Sequence, residues 1–471
     1  MKVLFTAMCT FLVLGLAAQK QMSLRECIDI ALENNISVKQ TELNTRISEI
    51  SKNEAKLDLL PSLNASASHG YNWGQTIDPF TNQFATNRVR SNSLGLSSSI
   101  VLFGGLQKVN TIQQGKYNFL ASVEDLKKVK NDISLSVANA YLQVLLTQKL
   151  LNIATQQVKS TQLQLDRITQ LVEVGQLAQN SLLDIKSQLA NDELNMVSRQ
   201  NDLQFTKLQL KQFLNLPADE KIALEEVETG AIDASLGQLQ KSPALFEIAV
   251  ENMPEIKSAE YRLKSSEKGL AIARGGYMPR LTANASFGTG YSGANRQPLG
   301  DPSFLGNDTI GFTGTTLEPV LVPRFGYNDY ETKSFGDQLE DNINKTLSLS
   351  LVIPLFNGNK TRNGASRAKI NTAISRLSVD NAKNVLRQDI ERSYNDAVAS
   401  LKSYEASKNA FEASELSFKN AESRFAQNLI NASEFEDSKT RFVSAQNELA
   451  RAQYTYLFRL RVLQFYNGQD L

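Results

Sequence analysis

Two long helical stretches of this chain are copies of each other, and that duplication constrains the fold more than any other feature. The first opens at Leu102-Phe103-Gly104-Gly105-Leu106 and runs without proline to a break at Val174-Gly175-Gln176-Leu177. It closes on Ser181-Leu182-Leu183-Asp184-Ile185-Lys186. Apolar residues at Leu106, Val109, Ile112, Leu120, Val123, Leu126, Ile133, Val137, Tyr141 and Val144 return at three- and four-residue steps, the period of a helix. A helix of that length is roughly 100 Å long at about 1.5 Å per residue. The second copy runs from Leu355-Phe356-Asn357-Gly358 to Glu434-Phe435-Glu436-Asp437-Ser438-Lys439. Phe103 and Phe356, Asp184 and Asp437, and Lys186 and Lys439 are each 253 residues apart, so neither rod carries an insertion. Upstream, Ala31-Leu32-Glu33-Asn34 matches Ala249-Val250-Glu251-Asn252, and Leu60-Pro61-Ser62-Leu63 matches Met278-Pro279-Arg280-Leu281, both at an offset of 218. The chain is a tandem duplication whose second half has 35 extra residues, 253 less 218, between Leu281 and Leu355.

Ahead of each rod the period falls to two. Leu63, Ala65, Ala67, His69, Tyr71 and Trp73 alternate with Ser62, Asn64, Ser66, Ser68, Gly70 and Asn72. Leu94, Leu96, Ser98, Ile100 and Leu102 alternate with Ser93, Gly95, Ser97 and Ser99. The second half repeats the pair with Leu281, Ala283, Ala285, Phe287 and Tyr291, then Leu347, Leu349, Leu351, Ile353 and Leu355. Aliphatic residues on one face, small polar residues on the other and aromatics at strand ends suit a transmembrane β-barrel. Lipid tolerates no open sheet edge, and the smallest such barrels have about 8 strands. Four strands per chain therefore require a dimer, trimer or tetramer, with about 8, 12 or 16 strands.

Residues 23–35 read as a short helix with Ser23 and Glu26 as a capping box, and residues 36–58 as a second helix ended by Pro61. Val3 to Ala18 is the one long apolar run, ending Leu16-Ala17-Ala18-Gln19, and reads as a secretory signal. Cys27 is then the single mature cysteine, without an intrachain partner and suited to a buried site in the short helix. His69 is the sole histidine, which argues against histidine triads and His-ligated zinc. Fifty basic against 49 acidic residues give no electrostatic case for nucleic acid. No metal or cofactor is expected.

With this helix–strand–strand–rod–return pattern in place twice, the chain resembles the TolC family of outer-membrane efflux channels over nearly its whole length. The most specific motifs are Leu102 to Gly105 and Leu355 to Gly358 at the strand ends, and Val174-Gly175-Gln176-Leu177 with Ser181-Leu182-Leu183-Asp184 at the rod turn. The resemblance implies a mixed α and β membrane protein. In it three chains form a 12-stranded β-barrel that continues into an α-helical barrel in the periplasm. It also implies an outer-membrane exit duct for efflux or type I secretion. The partners implied are a periplasmic adaptor protein, an inner-membrane transporter of RND or ABC type, and outer-membrane lipid.

The resemblance places adaptor docking at Val174, Gly175, Leu177, Asn180 and Leu182, and at Asn428, which replaces the glycine of the first turn. Gly175 also supplies the positive φ that ends a helix, and Asn180 reads as the cap of the return helix. Glu434 and Asp437 stand at i and i+3 on one helical face and fall on family positions that ring the periplasmic entrance. Six carboxylates from three chains, about 6 Å apart, would repel by roughly 1–3 kcal/mol per pair. Without the resemblance they read as an acidic helix start favoured by the dipole. Ile430 and Ser181 depart from an arginine and an aspartate that some members use to latch this end. Tyr71, Trp73 and Tyr291 are the expected aromatics at the lipid interface.

The expected organisation is a signal over 1–18, a first repeat over 19–216, an equatorial linker over 217–243 and a second repeat over 244–471. The second repeat contains a long extracellular loop at 292–342. The principal alternative is an exported coiled-coil scaffold without a pore. A more distant one is an exported enzyme using Glu434 and Asp437 as a carboxylate pair.

Overall fold

The structure, a computed structural model, describes residues 21–85, 88–226, 242–427 and 429–469. The signal segment 1–18, residues 227–241 of the linker and Asn428 lie outside the described residues. In chain order the elements are β1 (Gln21–Met22), α1 (Leu24–Asn34), α2 (Ile36–Leu57), β2 (Ser62–Asn72), β3 (Thr76–Ile77), β4 (Phe84–Ala85) and β5 (Val89–Gly104). Next come α3 (Gln107–Glu173), α4 (Gln179–Leu214), β6 (Ala223–Leu224), α5 (Ser242–Asn252), α6 (Pro254–Gly275) and β7 (Arg280–Ser292). The chain continues with β8 (Arg296–Leu299), β9 (Ser303–Phe312), β10 (Pro319–Gly326), β11 (Asp329–Thr332) and α7 (Phe335–Asp341). It closes with β12 (Asn344–Val352), α8 (Lys360–Ala426) and α9 (Ala432–Tyr466). It divides into two units: one takes in the described parts of 1–50, 116–264 and 373–471, the other 51–115 and 265–372.

In the first unit two apolar cores use the same positions. One contains Cys27, Ala31, Val137, Val144 and Leu210; the other contains Leu245, Ala249, Ile390, Ala397 and Leu463. Each pair is separated by 218 residues in the short helices and 253 in the long ones, so the two halves bury the same faces. Ser23 and Glu26 cap α1 reciprocally, Ser23 Oγ accepting from Glu26 N at 3.2 Å and Glu26 Oε2 from Ser23 N at 3.1 Å, as the sequence predicts. Burial pushes the Cys27 thiol up to about 12. The Tyr141 hydroxyl donates to the carbonyls of Met22 at 3.1 Å and Glu225 at 2.7 Å, pinning the parallel β1–β6 pair.

The long helices run without proline, and the hydroxyls along α3 satisfy themselves within the helix by donating to carbonyls four residues back, as Thr111 does to Gln107 and Ser136 to Asp132. The end of α3 is a Schellman turn: Gly175 N donates to Val172 O at 3.0 Å and Gln176 N to Leu171 O at 2.8 Å. Gly175 takes φ 77° there.

In the second unit four strands form one antiparallel sheet in the order β12-β7-β5-β2. Its strands hand over to helix through a pair of left-handed residues, Gly105 and Leu106 (φ 60° each) before α3, and Gly358 and Asn359 (φ 63° and 60°) before α8. Residues 292–342, read from sequence as loop, contain two further ribbons, β9–β10 and β8–β11, and the short helix α7.

Candidate functional site

The register of the sheet sorts its side chains by chemistry. Ser62, Ser99, Asn284 and Ser348 face one another across all four strands, as do Asn64, Ser97, Ser286 and Thr346. Side chains on this face bond to one another: Ser99 Oγ donates to Asn284 Oδ1 at 2.9 Å, and in a further row the Ser68 and Ser93 hydroxyls meet at 2.7 Å. On the other face Leu63, Ser98, Ala285 and Leu347 align, and Ile100, Ala283 and Leu349 form the next row. That apolar face is uncovered, with Leu347 82% and Leu349 69% exposed. The outer edges of β2 and β12 have no strand partner among the described residues. A sheet with one bare apolar face, one polar face and two unpaired edges cannot be stable as it stands in water. Strands of 9–16 residues match the span of about 9–11 needed to cross a bilayer.

The aromatics expected at the lipid interface divide. Tyr71 and Trp73 are exposed, 5.2 and 6.0 Å from neighbouring rings at His69 and from one another respectively. Tyr291 departs from the expectation: it is 7% exposed, covered by Phe335 at 5.4 Å and by the Arg90 guanidinium at 4.7 Å. The segment that carries Phe335 supplies the cover, which alternation alone could not reveal.

In the first unit, the turn after α3 leaves Val174, Gly175, Leu177 and Asn180 exposed and Leu182 half-buried. Asn180 is not the cap: α4 starts one residue earlier behind Ala178, which offers no side-chain bond. At the second turn Leu429 N donates to Arg424 O at 2.9 Å. Asn431 caps α9, its Oδ1 accepting from Glu434 N at 2.8 Å while its Nδ2 donates to Glu434 Oε1 at 3.3 Å. Glu434 and Asp437 are both exposed. Between them Phe435 is buried in an aromatic ladder, 4.7 Å from Phe425 and 5.7 Å from Phe418, which itself stacks on Phe442 at 5.1 Å. The ladder zips α8 to the start of α9.

One turn on lies a charged cluster that the sequence reading missed. Lys439 is 1% exposed. Its Nζ donates to Thr161 Oγ1 at 2.8 Å, and the Thr161 hydroxyl donates to Asp192 Oδ2 at 2.5 Å. Gln188 Nε2 donates to Asp192 Oδ1 at 2.9 Å and Gln157 Nε2 to Oδ2 at 3.3 Å. Glu436 stands 3.8 Å from the ammonium. Burial lowers the Lys439 pKa against the pull of Glu436 and Asp192, and burial raises that of Glu436 against the pull of Lys439. The signal was a threonine, an aspartate and a lysine at positions where α3, α4 and α9 otherwise place apolar residues. Among the described residues no group of three or more His, Cys, Asp and Glu could hold a metal ion.

The sheet defines the class: a β structure with the face chemistry and strand length suited to a bilayer, carried by a predominantly helical chain. A family model described as outer membrane efflux protein matches residues 27–216 and 245–469. The outer membrane protein TolC of Escherichia coli strain K12 is 26% identical over 425 residues, covering 89% of this chain and 77% of that protein. The crystal structure of CusC, described for its transmembrane channel formation, aligns with a TM-score of 0.73 at 16% identity, over 95% of this chain and 92% of that one. That of VceC from Vibrio cholerae gives 0.71 at 14%, over 94% and 96%. At those identities the two structures establish the fold alone. The chain belongs to the outer membrane efflux protein family. It is an outer-membrane protein with the mixed α and β fold of that family's channels, whose tunnel extends into the periplasm.

Proposed function

We propose that three copies of this chain pool their sheets into a 12-stranded barrel and form a passive exit channel of a tripartite efflux or type I secretion system. The observation that carries the reading is the four-stranded sheet with a bare apolar face and free edges at β2 and β12. In lipid each unpaired backbone group costs several kcal/mol, and β12 of one copy meeting β2 of the next removes both edges. The strand directions support this, since β12 and β2 run oppositely and close as an antiparallel pair. Small polar rows then line the lumen and the aliphatic rows face lipid. A scaffold without a pore would leave that apolar face in water.

In this reading residues 1–18 direct export, 19–216 and 244–471 are the repeats, and 217–243 is the linker between them. Glu434 and Asp437 narrow the periplasmic entrance. The turn with Val174, Gly175, Leu177, Asn180 and Leu182, together with Asn428 in the second repeat, receives a periplasmic adaptor linked to an RND or ABC transporter. Tyr71 sits at the lipid interface, with Trp73 just beyond it, past the end of β2. No chemistry is asked of the chain; the driving energy comes from the inner-membrane partner.

The test is extraction and reconstitution. The protein should require detergent, run at the mass of three chains, and give discrete conductance steps in planar bilayers. A monomer that stays soluble in buffer alone would overturn the reading.

A further inference from the structure

The ribbon β9–β10 pairs with itself and with no other strand among the described residues. It is held by the Phe304–Phe325 ring contact at 5.9 Å and the Arg324–Asp308 ion pair at 3.6 Å. Yet Ile310 is 67% exposed, and Phe312, Val320, Leu321, Val322 and the turn residue Leu317 are exposed beside it. A two-stranded ribbon alone is marginal in water, and large apolar residues left exposed on it, Leu321 on one face and Val320 and Val322 on the other, mark an interface.

The topology indicates what covers it. The ribbon rises between the end of β7 and the start of β12, whose outer edge is free. If β12 pairs antiparallel with β2 of the next copy, the end of that β2 at Asn72 lies at the same end of the sheet as Asn344, the end from which the segment carrying the ribbon emerges. The segment after β2 therefore lands next to it. In that segment Trp73 is 73% exposed, and Ile77 and Phe84, which pair across β3–β4, are exposed as well. The segment is anchored in its own chain. Buried Asp78 accepts from Phe80 N at 3.0 Å and Thr81 N at 2.9 Å, and its other oxygen takes the Ser292 hydroxyl proton. Ser292 is in turn held by Gln338 Oε1 at 2.9 Å. The anchoring fixes the backbone and leaves Trp73, Ile77 and Phe84 without cover.

We propose that the β9–β10 ribbon of each copy packs its apolar side chains on Trp73, Ile77 and Phe84 of the neighbouring copy, forming a collar between copies at the loop end of the barrel. The occupant is a second copy of this chain, and the inference rests on the ring closure proposed above. The 35-residue excess of the second half then gives each copy a clasp on its neighbour.

The test places the photoreactive residue p-benzoylphenylalanine at Ile310 in the full-length, detergent-extracted protein. Irradiation should give two- and three-chain bands on a denaturing gel, with adducts on peptides containing Trp73 or Phe84. A second variant adding Trp73→Ala and Phe84→Ala should lose those bands while native mass spectrometry still shows three chains. An intact trimer whose adducts lie only on lipid, or only on its own chain, overturns the collar and leaves the ring closure standing. A monomer overturns both.

Discussion

Lys439 and Asp192 never touch directly; the hydroxyl of Thr161 stands between them, accepting from the one at 2.8 Å and donating to the other at 2.5 Å. Three helices, α3, α4 and α9, are joined at this one buried point. Removing one partner from a buried charged network leaves the other desolvated, at a cost of about 3–5 kcal/mol when the pair is direct. Lys439→Met should lower stability by about 3 kcal/mol, with Asp192→Asn lower by less because the amide oxygen still accepts from Gln188 and Glu436 still stands 3.8 Å from the ammonium. The double variant should be less destabilised than the sum of the two, a coupling that a double-mutant cycle in urea would read. Strict additivity would mean the relay carries no energy.

Glu436 makes the same region respond to pH. Burial raises its folded pKa above that of the unfolded chain, so between the two values the folded state holds more protons. Stability from this group therefore increases as pH falls from neutral through the raised pKa, and levels off below the unfolded one. Relative to Glu436→Gln, which cannot ionise, the wild type should gain thermal stability between pH 7 and pH 4. A difference in unfolding midpoint that stays flat or widens in favour of the variant would contradict the assignment.

Gly105 and Gly358 occupy equivalent junctions with nearly the same φ, but their surroundings differ. A Cβ on Gly105 would run into the Gly275 carbonyl and Met278, whereas Gly358 has nothing within 4 Å. Gly358→Ala should cost about 1–2 kcal/mol from the left-handed backbone alone. Gly105→Ala should cost distinctly more, visible as poorer recovery of folded protein from the membrane fraction. Equal yields would show that the backbone at 275 gives way.

The exposed pair Glu434 and Asp437 is argued to narrow the entrance. Glu434→Gln with Asp437→Asn should raise single-channel conductance and weaken block by divalent cations, because carboxylates attract such ions and amides do not. Unchanged conductance and block would remove the constriction from these two positions.

Much of this was legible in the sequence because duplication and alternation are global patterns. The offsets of 218 and 253 that appear at Pro61 and Lys186 reappear in the two cores, where Ala31 and Ala249, and Leu210 and Leu463, are buried alike. The polar rows of the sheet follow from the period of two. What failed to show depended on single contacts. Pro319 and Pro323 made the β9–β10 ribbon look like loop, yet both stand in register opposite Phe312 and Asn307, on an edge where proline is tolerated. Tyr291 looked lipid-facing until Phe335 and Arg90 covered it. Lys439 served only as a marker of the repeat, since a lysine in a helix pattern reads as solvated unless its neighbours from two other helices are known.

The central claim is that β2 of one copy closes on β12 of the next. With Cys27 replaced by serine, single cysteines at Ser62, Asn64 or Ser66 combined with one at Asn344, Thr346 or Ser348 give a panel for oxidation in detergent. The account predicts that at least one register yields a covalent ladder ending at three chains. Disulfides confined within single chains, or none across the whole panel, would contradict it.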